Sequence, residues 1–351
     1  MKNVLIIGAT GVLGKLVCND ITNLIPEDVT LIITDYNKER GVNFAASLGN
    51  HTKWRYLDVK EDKSIEQALI GIDMAVVLIK QFESKIQEIA LRMRIPSLDV
   101  TPSYSLYRRV IKYHDDALKQ GTGVLLLSGF LPGLSGLLIK KAIDDFDYIE
   151  SVDLGFLQNK NADVGIAGIK DMLRLIDEPI IRGDQKISSF SQSKKMYFLG
   201  HAKYKKVRNI EHSERILLSN MFPVNFWTGW SNRPFNYMIY LLKKTRLLPF
   251  IYNLNSGVMK RIVKHNPQKK EDAMLTVEVK GLIQGEYKKK GYYLQTFSDY
   301  RTTSLVIAAL VKIMLTKRVK GVATPYDITE IDEILSIINH DNIRLKTEAQ
   351  Q

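Results

Sequence analysis

Gly8, Gly11 and Gly14 stand at three-residue intervals in VLIIGATGVLG, after the apolar run Val4–Ile7 and before KLVCNDI, whose apolar positions recur at helical spacing. Phosphate binding asks for this pattern. The first glycine turns the chain sharply, the second lets the backbone approach an anion, and the third seats a helix close to the strand. The expected cradle is Gly8, Ala9, Thr10, Gly11, Val12, Leu13 and Gly14. A dinucleotide site also wants an acid roughly 20 residues further on, at the end of a second strand. Asp35, in VTLIITDYNKER, stands there. Its carboxylate can accept bonds from ribose hydroxyls and would repel a 2′-phosphate, which favours NAD over NADP. Lys38 and Arg40 follow closely enough to reach a phosphate instead. Asp58, ending a third strand in YLDV, either contacts the adenine or caps the helix KEDKSIEQ. Val59 and Ile79 complete the expected cofactor contacts.

These residues need strand ends to hold them. Strand-like runs in VTLIITD, KWRYLDV, DMAVVLI, IPSLDVT and TGVLLLSG alternate with the helical segments KEDKSIEQALI, QFESKIQEIALRMR and YSLYRRVIKYHDDALKQG, the last ending at Gly121. Strands apolar along their whole length, alternating with helices, predict an α/β, Rossmann-type doubly wound parallel sheet over residues 1–130. The pattern then changes. IESVDLGFL, KISSFS, KKMYFL, ERILL, MLTVEVKGLIQGEY and GYYLQTFSD read as strands of an α+β substrate and dimerisation domain over 131–302. A very apolar helix from Thr303 opens a segment, 303–345, expected to return to the first domain. The aromatic stretches FPVNFWTGW and PFNYMIYLLKKTRLLPFIY read as a helical core or dimer face; the alternatives are an apolar pocket lining or a membrane contact.

A chain of 351 residues exceeds one core, in keeping with two domains. The lone Cys18 excludes an internal disulfide and suits a reducing, cytoplasmic setting. The opening apolar run is too short for a secretory signal and ends in a glycine turn. SLVIAALVKIML, interrupted by Lys312, is too short to span a bilayer. Residues 1–150 carry 18 basic and 19 acidic side chains, so the whole excess behind the net charge of +12 lies beyond them. Solvated lysines are the plain reading; an anionic substrate or, less favoured, an anionic membrane surface are the others. No nucleic-acid recognition motif accompanies the charge, and the scattered histidines predict no metal site. One Tyr-x-x-x-Lys pair, Tyr240 and Lys244, lies too far downstream to serve a Rossmann cofactor and is taken as chance.

VLIIGATGVLG, LIITDYNKER, IPSLDVT and above all LLLSGFLPGLSGLL resemble the NAD(P)-binding domain of the saccharopine dehydrogenase-like (saccharopine reductase-type) family. There a strand ends in Gly-x-x-Pro-Gly where the chain crosses to the substrate domain; Gly129, Pro132 and Gly133 fit. TSLVIAALVKIMLTKRVKGVATP looks like the family's returning helix, and RNIEHSERILL like a substrate-domain segment. The resemblance implies an NAD(P)-dependent oxidoreductase, a homodimer, moving hydride at an amine, imine or keto carbon of an anionic substrate. It puts Asp99 and Thr101 at the nicotinamide end, with Asp99 orienting the substrate amine or relaying a proton and Tyr104 as a nearby donor. Asp99 reads equally as the cap of the helix at PSYSLYRR. Lys170 and Arg233 are candidates for holding substrate carboxylates. Leu131 replaces an acid frequent in saccharopine-forming members, which points away from saccharopine itself. A dinucleotide sensor without chemistry, or a reductase of lipid-like substrates at a membrane surface, are the alternatives.

Overall fold

The computed structural model describes residues 1–25, 29–81, 83–262 and 265–350. Phe82, in one expected helix, and Val263 and Lys264, in the basic run KRIVKHNPQKK, lie outside them. The chain divides into two units, residues 1–137 with 303–339, and 138–302 with 340–351.

The first unit opens with strand β1 (Lys2–Ile7), helix α1 (Val12–Leu24), β2 (Val29–Asp35), α2 (Lys38–Ser47), β3 (Thr52–Tyr56), α3 (Asp62–Leu69), β4 (Met74–Val77), α4 (Lys85–Arg92) and β5 (Ser97–Asp99). The helix expected over 104–121 is two, α5 (Tyr104–Val110) and α6 (His114–Gln120), joined by a 3-10 turn and closed by Gly121 in the left-handed region. Strand β6 (Gly123–Leu125) follows, and α7 (Leu134–Ile143) carries the unit boundary.

The second unit contains β7 (Tyr148–Gln158), α8 (Ile166–Asp177), a small hairpin of β8 (Ile180–Arg182) and β9 (Gln185–Ile187), β10 (Ser193–Met196), β11 (Lys205–Ile210), α9 (Ser213–Leu218), β12 (Val224–Trp230), α10 (Arg233–Lys244), α11 (Leu248–Tyr252), α12 (Ser256–Ile262), β13 (Ala273–Ile283) and β14 (Glu286–Thr296). Helix α13 (Asp299–Thr316) leads back to the first unit, which adds β15 (Gly321–Ala323), α14 (Pro325–Ile328) and α15 (Ile331–Ile338). Strand β16 (Arg344–Gln350) ends the second.

In the first unit seven parallel strands run in the order β15-β6-β5-β4-β1-β2-β3, so the order reverses between β1 and β4. That is the expected Rossmann-type sheet, and the reversal opens a crevice at the carboxyl ends of its strands. The apolar strand residues are buried because helices cover both faces. Leu5, Ile7, Ile32, Ala75 and Val77 pack with Ile65 and Leu69 of α3 and Ile86 and Ile89 of α4. On α13, Val306–Val311 are fully buried, and the Ser304 hydroxyl donates to Asp20 of α1.

The second unit is built on a mixed sheet, β10-β11-β12-β7-β13-β14-β16, in which only β12 and β7 pair in parallel. Strands β13 and β14 form a hairpin closed by Gln284 and Gly285, both at positive φ, as a two-residue turn requires. Three expectations fail here. ERILL is helix α9, because the His212 ring accepts from the Glu214 amide at its start and draws the chain out of the sheet. FPVNFWTGW contains strand β12, whose in-and-out alternation over residues 224–228 was hidden by its aromatics. Of KISSFS only Lys186 and Ile187 pair; Ser188–Ser191 loop back on Asn209.

Helix α9 is anchored by a buried ion pair. Arg215 Nη2 meets Glu211 Oε2 at 2.7 Å and the Ile181 carbonyl at 2.8 Å, while the Ile181 amide donates to Glu211 at 2.9 Å. Removing one partner strands the other charge in the interior, which costs about 3–5 kcal/mol. Glu211→Gln is therefore expected to lower the unfolding free energy of the second unit by about 3 kcal/mol, read by urea denaturation followed through tryptophan fluorescence. An unchanged midpoint would refute the anchoring role.

Candidate functional site

The glycine turn sits at the carboxyl end of β1. Gly8 has φ +89°, and a Cβ there would lie 2.6 Å from Ile79 Cγ2, beyond β4. At Gly14 a Cβ would meet the Gly8 carbonyl oxygen at 2.2 Å and that of Ala9 at 2.6 Å. Helix α1 thus rests directly on the turn, where only glycine fits. Gly11 occupies the N-cap position in extended backbone, with no capping side chain and no acid in the first turn. The first helical bond runs from Lys15 to the Gly11 carbonyl. The amides of Val12, Leu13 and Gly14 therefore lack a helical acceptor, and the positive end of the helix dipole stands open. Gly11 and Val12 are exposed, so an anion can reach them. This cradle fits the pyrophosphate of a dinucleotide.

Asp35 ends β2 beside the turn, with both carboxylate oxygens occupied. Thr10 Oγ1 donates to Oδ2 at 2.5 Å, the Asn37 amide to Oδ1 at 2.8 Å, and Arg40 to both oxygens at 2.6 Å. Burial pushes the carboxyl pKa up, but the bonds from Arg40, Thr10 and Asn37 outweigh it and leave it below the usual range. The Arg40 guanidinium that holds the carboxylate lies 5.1 Å from the ring centroid of exposed Tyr36. Lys38 opens α2 and faces solvent. Asp58 does not cap α3: its carboxylate accepts from the Lys60 amide at 2.9 Å, and Glu61 holds the cap position. Val59 and Ile79 pack against the core beneath the carboxyl ends of the strands.

Asp99 ends β5 and is enclosed. Gln81 and Gln87 donate side-chain amides to Oδ2, the latter at 2.6 Å, and the Thr101 amide donates to Oδ1 at 2.6 Å. It does not cap the next helix; Ser103 does, accepting from the Leu106 amide. Its carboxyl is pushed up to about 6, burial outweighing the bonds from Thr101, Gln81 and Gln87. Tyr104 stacks on Tyr107, ring centroids 6.3 Å apart, and is not a bonding partner of Asp99. Gly129, Pro132 and Gly133 form a tight turn in which the Gly129 amide donates to the Pro132 carbonyl at 2.8 Å, and the Leu131–Pro132 peptide is cis.

The two substrate candidates lie in the second unit, on different helices. Lys170, on α8, donates to the Leu254 carbonyl at 2.5 Å, while Arg233 is exposed in the first turn of α10. Tyr240 and Lys244 also lie on α10, where the Tyr240 ring covers the Arg208 guanidinium at 3.6 Å. The glutamines holding Asp99 and the Arg40 clamp on Asp35 escaped the sequence reading. Arg40 was foreseeable from its five-residue separation; Gln81 and Gln87 meet Asp99 only because β4 and β5 are neighbours.

No protein-family model and no curated protein matches this chain. Solved structures do. Apo, histidine-tagged saccharopine dehydrogenase (L-Glu forming) from Saccharomyces cerevisiae superposes with a TM-score of 0.70 at 14% identity, covering 100% of both chains. DAP dehydrogenase of C. glutamicum, in complex with DAP, gives 0.51 at 14% identity over 97% of this chain and 99% of that one. The chain therefore has the fold of a saccharopine dehydrogenase-like, NAD(P)-binding oxidoreductase. No helix of the described residues is long and apolar enough to cross a membrane.

Two outcomes are expected. Gly14→Val should abolish NADH binding measured by fluorescence, because its side chain cannot share space with the Gly8 and Ala9 carbonyls; retained binding would show that α1 can lift off the turn. Asp99 carries a pKa raised by folding, so its contribution to stability is present below about pH 4 and is lost as pH rises through about 6. Asp99→Asn should be less stable at pH 4 than the parent, and that deficit should shrink by about 3 kcal/mol at pH 7. Urea titrations at both pH values check it; a deficit independent of pH would contradict the raised pKa.

Proposed function

We propose that this protein is an NAD(P)-dependent oxidoreductase of the saccharopine dehydrogenase-like type, moving hydride at an amine, imine or keto carbon of an anionic small molecule. The observation that carries it is the cradle itself: uncapped α1 amides held against a glycine turn, with Asp35 beside them. The bound dinucleotide would supply the hydride. Residues Gly8–Gly14 hold its pyrophosphate, Asp35 its adenosine ribose, Asp58 and Val59 its adenine, and Ile79 the chain beyond. Lys170 and Arg233 are the proposed carboxylate contacts, with Asp99 orienting the amine and Tyr104 as proton donor. The basic excess beyond residue 150 supports an anionic substrate. The resemblance supports a homodimer, and the single cysteine supports a cytoplasmic setting.

NAD is the favoured cofactor. Asp35 stays ionised because three neighbours hold its charged form, and a 2′-phosphate would have to approach that charge. Arg40 is the counterweight: released from Asp35, it would offer a phosphate a planar, two-pronged donor. A second reading, a dinucleotide sensor without turnover, draws on the enclosure of Asp99 by Gln81, Gln87 and Thr101.

Fluorescence titration with NADH and NADPH tests the cofactor assignment. The parent should bind NADH more tightly. Asp35→Ala should weaken NADH by about 10-fold, a loss of about 1.4 kcal/mol, and tighten NADPH. Tighter NADPH binding by the parent would make Arg40 the phosphate holder, and failure to bind either would overturn the oxidoreductase reading. Turnover on a panel of keto acids with ammonia then separates enzyme from sensor.

A further inference from the structure

A cavity of about 520 Å³ lies against α10 in the second unit, walled in part by Lys243, Lys244 and Arg246. Asp177 is the single carboxylate on that wall, and it is already engaged. Lys243 Nζ bonds its Oδ1 at 2.7 Å and the Tyr252 hydroxyl its Oδ2 at 3.1 Å. Lys244 and Arg246 meet no acidic partner among the described residues. Three cations and one acid leave the wall with a surplus of two positive charges.

A further cation stands directly behind it. Arg208 is 7% exposed, and no carboxylate pairs with it among the described residues. Its guanidinium lies 3.6 Å from the Tyr240 ring centroid and 5.7 Å from that of Phe190, and it donates to the Phe190 carbonyl at 3.3 Å. Both rings line the cavity. A buried guanidinium is ordinarily neutralised, since leaving a charge unpaired in the interior is costly. Burial lowers the Arg208 pKa, and the neighbouring Tyr240 opposes that shift.

We infer that this cavity is a binding site for a phosphate monoester dianion, held by Lys244 and Arg246 at the mouth and by Lys243 within. A phosphate monoester carries about −1.5 to −2 charges near neutral pH, which matches the surplus on the wall. The guanidinium fork of Arg246 suits two phosphate oxygens, and the lysines act as point charges. Exposed Leu247 and Phe250 border the basic residues, so the phosphate can come from a soluble ester or from a lipid headgroup. All of the lining residues belong to the second unit.

The test is calorimetric titration of the full chain with inorganic phosphate at constant ionic strength, comparing the parent with a Lys244→Ala, Arg246→Ala double variant. Both side chains are exposed, so the fold should survive, and circular dichroism verifies this. Saturable binding by the parent, weakened about 10-fold or more in the variant, is the expected result. Absence of saturable binding, equal affinity in the variant, or an equal response to chloride would overturn the proposal. Co-sedimentation with phosphatidylcholine vesicles, with and without phosphatidic acid, separates the sources. Capture that needs phosphatidic acid, yields to inorganic phosphate and fails in the variant assigns a lipid headgroup. Phosphate binding without capture assigns a soluble ester, and capture that persists in the variant counts against the cavity.

Discussion

Helix α1 lies hard against the turn that precedes it, where the Gly8 and Ala9 carbonyls occupy the space a Gly14 side chain would need. The rest of the cofactor face depends on this contact. It fixes the direction of the helix, so the unbonded amides of its first turn converge over the carboxyl end of β1. It also places Thr10 where its hydroxyl reaches the Asp35 carboxylate at the end of β2. A methyl group at one position would dissolve both relations. The dinucleotide recognition proposed here is first a problem of backbone packing and only then one of charge.

Charge is then distributed in two ways. Around Asp35 it is compensated locally, by a bidentate arginine and a hydroxyl, so the carboxylate stays ionised. Around Asp99 it is compensated by neutral donors alone, and the carboxyl drifts toward its protonated form. The two acids end β2 and β5 of one parallel sheet, with β1 and β4 between them, and differ because one has a cation within reach. The second unit repeats the contrast. Glu211 and Arg215 neutralise one another in the interior, whereas Arg208 is left with aromatic faces and a carbonyl.

The Rossmann-type half was legible because each of its signals is local. Glycine spacing, fully apolar strands and an acid at a strand end report contacts between residues close in sequence or one strand apart. The mixed sheet was less legible. Strand β12 carries phenylalanine and tryptophan on alternating faces, which blurs the two-residue period, and α9 is opened by a histidine cap and anchored by an ion pair. The site divides along the same line. The cradle could be read from the chain, but the glutamines around Asp99 are brought to it by strand order rather than by spacing. The stacking of Tyr240 on Arg208 unites α10 with β11, which no local pattern announces.

Strand order also has a bearing on biosynthesis. Strand β15 pairs with β6 after nearly 200 intervening residues, and β16 pairs with β14 only after the chain has gone back through the first unit. Each unit thus waits for a piece made after most of the other. While the chain is still emerging from the ribosome, the edges of β6 and β14 are bare, with unpaired backbone groups able to join a neighbouring nascent chain. Such a molecule has good reason to depend on chaperones that shield sheet edges until translation is nearly complete, and a fragment cut at either unit boundary would keep an open edge for good.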